Sequence, residues 1–155
     1  MHPSRARFVL ALALVSASCG VEQAGEALPD AVALRDTIIA QFSRSADAWT
    51  RGDLDAFMAD YAGDSLTGFV TGGRVQHGFD RIRAGYAPRF APGATRDSLR
   101  FEEFEVRPLA PKVALVTARF VLFSGGKTSA SGPFSLVMER RPDGWKILHD
   151  HTSSD

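Results

Sequence analysis

From Asp30 onward apolar residues return at helical spacing. Ile39, Phe42, Ala46 and Trp49 lie three, four and three apart, until Arg51 and Gly52 offer a stop. With Asp30 placed as an N-cap, the pattern predicts one amphipathic helix of about twenty residues. In "GDLDAFMADYAGDS" it starts again: Asp53 caps, Leu54, Phe57, Met58 and Tyr61 line one face, and Gly63 closes a short second helix. "LTGFVTGGRVQHG" reads as two short extended pieces around a Gly72-Gly73 turn. Phe79, Ile82, Tyr86 and Phe90 then mark a third helix, which Pro88 should end or distort. Beyond Ser98 the period changes to two. "SLRFEEFEVRPL" alternates but loses phase at Glu102-Glu103, which predicts a bulge. Three more strands follow, separated by Gly125-Gly126 and by Pro142-Asp143-Gly144, as an antiparallel meander. Helices first and long hairpins afterwards is the order of an α+β fold in which a curved sheet wraps around helices.

Ahead of this pattern the chain reads as an address. Arg5 and Arg7 supply a positive start, Phe8 to Val15 an apolar run far short of the roughly 20 residues that span a bilayer, and "VSASCG" a cleavage region. Residues 1–18 are therefore expected to be a signal peptide, residues 19–29 a tether and residues 30–155 the folded domain. Val15 and Ala17 suit ordinary signal-peptide cleavage. Cys19, with small residues before it and Gly20 after it, instead resembles a bacterial lipobox, although Ser16 stands where that box usually has leucine. The expected location is periplasmic or cell-surface, with the membrane reached only through a lipid on Cys19. As the sole cysteine, Cys19 leaves no internal disulfide.

Composition narrows the partners. The 155 residues suffice for one domain of ordinary core size, and eighteen basic residues balance eighteen acidic ones without a basic, aromatic-studded stripe, which argues against nucleic acid. Loss of residues 1–18 removes two arginines and leaves a net charge near −2, too small to imply a charged partner.

"AWTRGDLDAFMADYAGD", "HGFDRIRAGY" and "DGWKILHDHTS" together resemble the nuclear transport factor 2-like superfamily, in its SnoaL-like branch. The last string is also similar to the association domain of calcium/calmodulin-dependent protein kinases. The resemblance covers about Ala31 to Ser153 and implies a cone: three helices closing one mouth of a bent, mostly antiparallel sheet, with a pocket inside and homodimerisation through the sheet. It is specific for fold and poor for function, because the superfamily includes isomerases, cyclases, dehydratases, binding proteins and oligomerisation modules.

Strict alternation along the last strand puts Trp145, Ile147, His149 and His151 on one face and Lys146, Leu148, Asp150 and Thr152 on the other. His149 and His151 are thus candidates for a pocket wall that orients a ligand or moves a proton, or for structural hydrogen bonding, and Asp150 is expected to be solvated or at an interface. A metal needs a third ligand, for which only His77 is near, so neither metal nor cofactor is expected. Arg119 shares a face with Leu115, Thr117, Val121 and Phe123. The likeness to the kinase association domains makes it a candidate ligand for a carboxylate, although Leu136 and Thr152 fall where that family tends to have further arginines. A salt bridge to Glu103 or Glu105 is the alternative. Trp49, Tyr61, Phe69 and Tyr86 are candidates to line the cavity. Asp53, Asp55, Asp60 and Asp64 read as caps and solvated positions, with Asp60 kept as a candidate base because superfamily isomerases use a pocket aspartate. No Tyr/Asp constellation of the oxyanion-stabilising kind is visible. The expected function is therefore an exported domain that binds a small organic molecule, with a SnoaL-like isomerase, cyclase or dehydratase and a dimerisation module with a filled cavity as alternatives.

Overall fold

The computed structural model describes residues 26–155. The expected signal peptide, Cys19 and most of the expected tether lie outside the described residues. Helix α1 runs Ala31–Arg51, capped by the Asp30 carboxylate, which accepts from the Ala33 amide at 2.8 Å, and ended by Gly52 at φ 78°. Its buried face is Leu34, Ile38, Gln41, Phe42, Ser45, Ala48 and Trp49, with Ile39 and Ala46 only half-buried beside it. The apolar spacing marked the helix correctly but not its deepest line, because two of the buried positions, Gln41 and Ser45, are polar. Asp53 caps the short α2, Leu54–Met58, by accepting from the Ala56 amide at 3.0 Å.

Strands β1 (Gly68–Thr71) and β2 (Arg74–His77) form the first hairpin, and α3 follows at Phe79–Phe90. Helix α3 passes through Pro88 and continues two residues beyond it, so the expected break does not occur. Proline removes one hydrogen bond, to the Ala84 carbonyl, and Ala84 is exposed to water that can take its place. The long strands are β3 (Ser98–Ala110), β4 (Val113–Ser124), β5 (Lys127–Arg141) and β6 (Gly144–Thr152). With β1 and β2 they make one six-stranded sheet in the order β2-β1-β6-β5-β4-β3, antiparallel except where β1 meets β6. The expected β3 bulge lies between Glu102 and Glu105 and places Glu103 at φ 59°. It keeps Phe101 and Phe104 on one face, where both meet the Phe42 ring edge-on, at 5.0 and 5.7 Å between centroids.

The helices cover the concave face of the sheet, and the core lies between them. Ile38 and Met138 are fully enclosed, each contributing about 2 kcal/mol through burial alone. Phe134 stacks on Phe42 at 5.9 Å and joins the mid-sheet to α1. The indole N–H of Trp49 donates to the Asp97 carbonyl at 2.9 Å and pins the C-terminal half of α1 to the start of β3.

Candidate functional site

Helices and sheet do not close completely, and a cavity of about 350 Å³ remains between them. Its waist is apolar: Phe42 and Trp49 from α1, Leu99 and Phe101 from β3, Phe120 from β4 and Phe134 from β5. Among the described residues, its only charged lining residues are Asp60, Arg89 and Asp150. Such a space, mostly apolar with some polar groups in its lining, has the form of a small-molecule site.

Asp60 follows α2, and its position is set by two partners, Gln41 and Ile147. Gln41 Nε2 donates to Asp60 Oδ1 at 2.9 Å and to the Trp145 carbonyl at 2.9 Å, while the Ile147 amide donates to the Asp60 carbonyl at 2.7 Å. Burial pushes the Asp60 carboxyl up to about 6, against the opposing pull of hydrogen bonds from Gln41 and Ser45 and the charges of Lys146 and Arg44. A carboxyl at that value is half ionised near pH 6 and mostly ionised at neutrality, and is suited to exchanging a proton with a bound molecule.

A second polar group lies along β6. Tyr61 donates to Asp150 Oδ2 at 2.6 Å, Thr152 donates to Asp150 Oδ1 at 2.7 Å, and the Tyr86 hydroxyl stands 3.4 Å from that of Tyr61. The Tyr61 hydrogen is engaged by Asp150, so Tyr86 is the donor in that long contact, and a better-placed acceptor on a ligand would take it over. Burial raises the Asp150 carboxyl, although hydrogen bonds from Tyr61 and Thr152 oppose the rise. Both tyrosines are also held above their ordinary value, by burial and by the neighbouring Asp150 charge, and stay protonated as donors.

The face assignment expected for β6 is corrected. Met138 pairs with Ile147 but Val137 pairs with His149, so Leu148 is an extra residue and the alternation slips. Asp150 and Thr152 consequently line the cavity, and Asp150 is buried rather than solvated. His149 and His151 fall on the opposite, outer face, outside the cavity lining, with His149 lying over Gly68. His77 pairs with Gly68 from the other side, in register with His149. Among the described residues no group of three or more His, Cys, Asp or Glu converges on a point.

Arg119 shares a face with Leu115, Thr117, Val121 and Phe123 as expected, but it is the outer face, since Phe120 and Leu122 are the ones that line the cavity. Its guanidinium pairs with Asp155, which Ser131 also contacts, rather than with Glu103 or Glu105. The expected set also divides. Trp49, Asp60, Tyr61, Phe69 and Tyr86 line the cavity, whereas Arg119, His149 and His151 do not. Gln41, Arg89 and Asp150, and with Asp150 the Tyr61–Asp150–Tyr86 constellation, are site features that the sequence pattern does not mark.

Residues 38–154 match the SnoaL-like domain. The chain belongs to this family. A SnoaL-like assignment accords with the solved structures it resembles. An NTF-2-like protein of unknown function from Shewanella oneidensis is 30% identical over 76% of this chain and 97% of its own, with a TM-score of 0.69. A proposed ketosteroid isomerase from Parabacteroides distasonis (20% identity, 79% and 88% covered, TM-score 0.62) shares the fold. So does a proposed calcium/calmodulin-dependent protein kinase II association domain from Xanthomonas campestris (21%, 76% and 85%, 0.58). Among functionally curated proteins none matches.

Proposed function

We propose that this SnoaL-like domain binds a small, largely apolar organic molecule in its cone, with a carbonyl or hydroxyl oxygen of the ligand meeting Tyr86 beside Asp60 and the Tyr61–Asp150 pair. The observation that carries the reading is the open cavity of about 350 Å³, whose aromatic waist favours apolar contact and whose lining also holds Asp60 and the Tyr61–Asp150–Tyr86 group. A module with a filled cavity would have no such space. An aryl ketone such as butyrophenone is the simplest probe. It is expected to raise the melting temperature, and Tyr86→Phe, which keeps the ring and removes the donor, is expected to weaken its binding by roughly fivefold. No melting shift with any aryl or alkyl ketone would contradict the reading.

One observation favours a second reading, proton transfer of the isomerase kind: the Asp60 carboxyl, held up to about 6, lines the same cavity as the Tyr86 donor. In that case the protein should catalyse exchange of solvent deuterium into the carbon next to the ketone, with a rate that rises through about 6 and is lost in Asp60→Asn. Absence of exchange would leave a binding domain. Export and lipidation at Cys19 belong to the same proposal, motivated by the positive and apolar start and the small residues around Cys19. Fatty-acid labelling of the wild type but not of Cys19→Ser is the expected result, and an unlabelled wild type would remove the anchor.

A further inference from the structure

We propose that Arg89, at the mouth of the cavity, selects ligands that carry a carboxylate, so that the site takes small acids with a second, uncharged acceptor further in. The inference rests on the pocket-binding reading and adds the ligand's charge and orientation to it. Among the described residues, Arg89 is the single cation in the cavity lining. It is exposed, and among the described residues no carboxylate pairs with it. Of the other arginines near the helices, Arg83 pairs with Asp55 at 2.6 Å and Arg141 with Asp64 at 3.0 Å, and Arg44, Arg51 and Arg81, which also have no carboxylate partner among the described residues, do not line the cavity. An unpaired guanidinium at the opening of an apolar space is a receptor for a planar anion, because its fork of N–H donors matches a carboxylate.

The guanidinium is also held in place. Its carbon lies 5.8 Å from the centroid of the Trp49 ring, a cation–π contact that limits its rotamers before any ligand arrives. The backbone beneath it is fixed by Arg96, whose Nη1 donates to the Arg89 carbonyl at 3.2 Å and whose guanidinium packs against Gly52 at the end of α1. A side chain at Gly52 would collide with Arg96, and the +78° φ there independently favours glycine.

Orientation follows from the other two charges. A ligand carboxylate placed beside Asp60 or Asp150 would meet a second acid in a poorly solvated space, which is unfavourable whichever of the two is ionised. At Arg89 it meets the opposite charge and remains in contact with water. Tyr86 is three residues before Arg89 on α3, so the two side chains start about 5–6 Å apart on one helix face. A carboxylate and a carbonyl separated by a few carbons reach both, with the apolar body of the ligand against Phe101, Phe120 and Phe134.

Benzoylpropionate and its neutral primary amide test this, since they differ only in the charge at the mouth. Calorimetric titration of the wild-type protein is expected to give binding about tenfold tighter for the acid than for the amide. In Arg89→Gln that ratio should fall close to one, and Arg89→Lys should restore part of it. Equal binding of acid and amide by the wild type, or an acid preference that survives Arg89→Gln, would overturn the role of Arg89 while leaving the pocket reading intact. Failure of the acid, the amide and butyrophenone alike would overturn both.

Discussion

Asp60 couples the pocket to stability through its proton. Its carboxyl stands at about 6 in the folded protein against 3.8 ordinarily, so between those values the folded state binds the proton more tightly than the unfolded chain does. Stability should therefore fall as pH rises across that window and stay at the lower level above it. Asp60→Asn can still accept from Gln41 and has nothing to ionise. It is expected to be more stable than the wild type near pH 8 by up to about 3 kcal/mol, and this advantage should shrink towards zero near pH 4. Urea denaturation at the two pH values checks this, and an equal effect at both would show that Asp60 is not held at a raised value. The role of Asp60 was readable only as an option, because one aspartate among four near α2 carries no mark of burial. Its hydrogen-bond partner inside the fold is Gln41, a polar residue on the hidden face of α1, where a search for apolar spacing does not look.

Bulges show which elements were legible and why. In β3 the slip at Glu102-Glu103 interrupts an apolar rhythm, Phe101 to Phe104 to Val106, so the missed beat is visible in the sequence. In β6 the slip at Leu148 is followed by His, Asp, His and Thr, where either phase reads as polar. The same silence affected β4, whose two faces are both largely apolar, so that Arg119 could be grouped with its true neighbours and still be assigned to the wrong side of the sheet. Helix caps and turns were legible because each depends on local chemistry: Asp30, Asp53 and Gly52 act within a few residues of themselves. The β3 bulge also carries a prediction. Glu103 adopts φ 59°, a conformation that costs a residue with a Cβ roughly 1 kcal/mol. Glu103→Gly should thus raise the denaturation midpoint by an amount worth about 0.5–1 kcal/mol, less the entropy glycine adds to the unfolded chain. A clear loss of stability would mean that the Glu103 side chain contributes more than its backbone costs.

At the scale of the whole molecule, the sheet separates two environments. Its concave face and the helices enclose the cavity. Its outer face carries half-buried Leu115, Phe123 and Val137 and buried Val121 beside Arg119, His149 and His151. A face so mixed in apolar and polar groups suits isologous pairing, and the protein is expected to sediment as a dimer; a monomer at high micromolar concentration would count against that. If so, His149 and His151 act at an interface and the ligand is read from the opposite side of the same strand, by Asp150 and Thr152. The claim on which the rest depends is that a small molecule enters the cone. Nuclear magnetic resonance mapping of butyrophenone on the protein tests it most directly. Shifts concentrated at Tyr61, Tyr86, Phe101, Phe120 and Phe134, with His149 and His151 unmoved, are the predicted result. Saturable shifts confined to the outer face, or none at all, would contradict it.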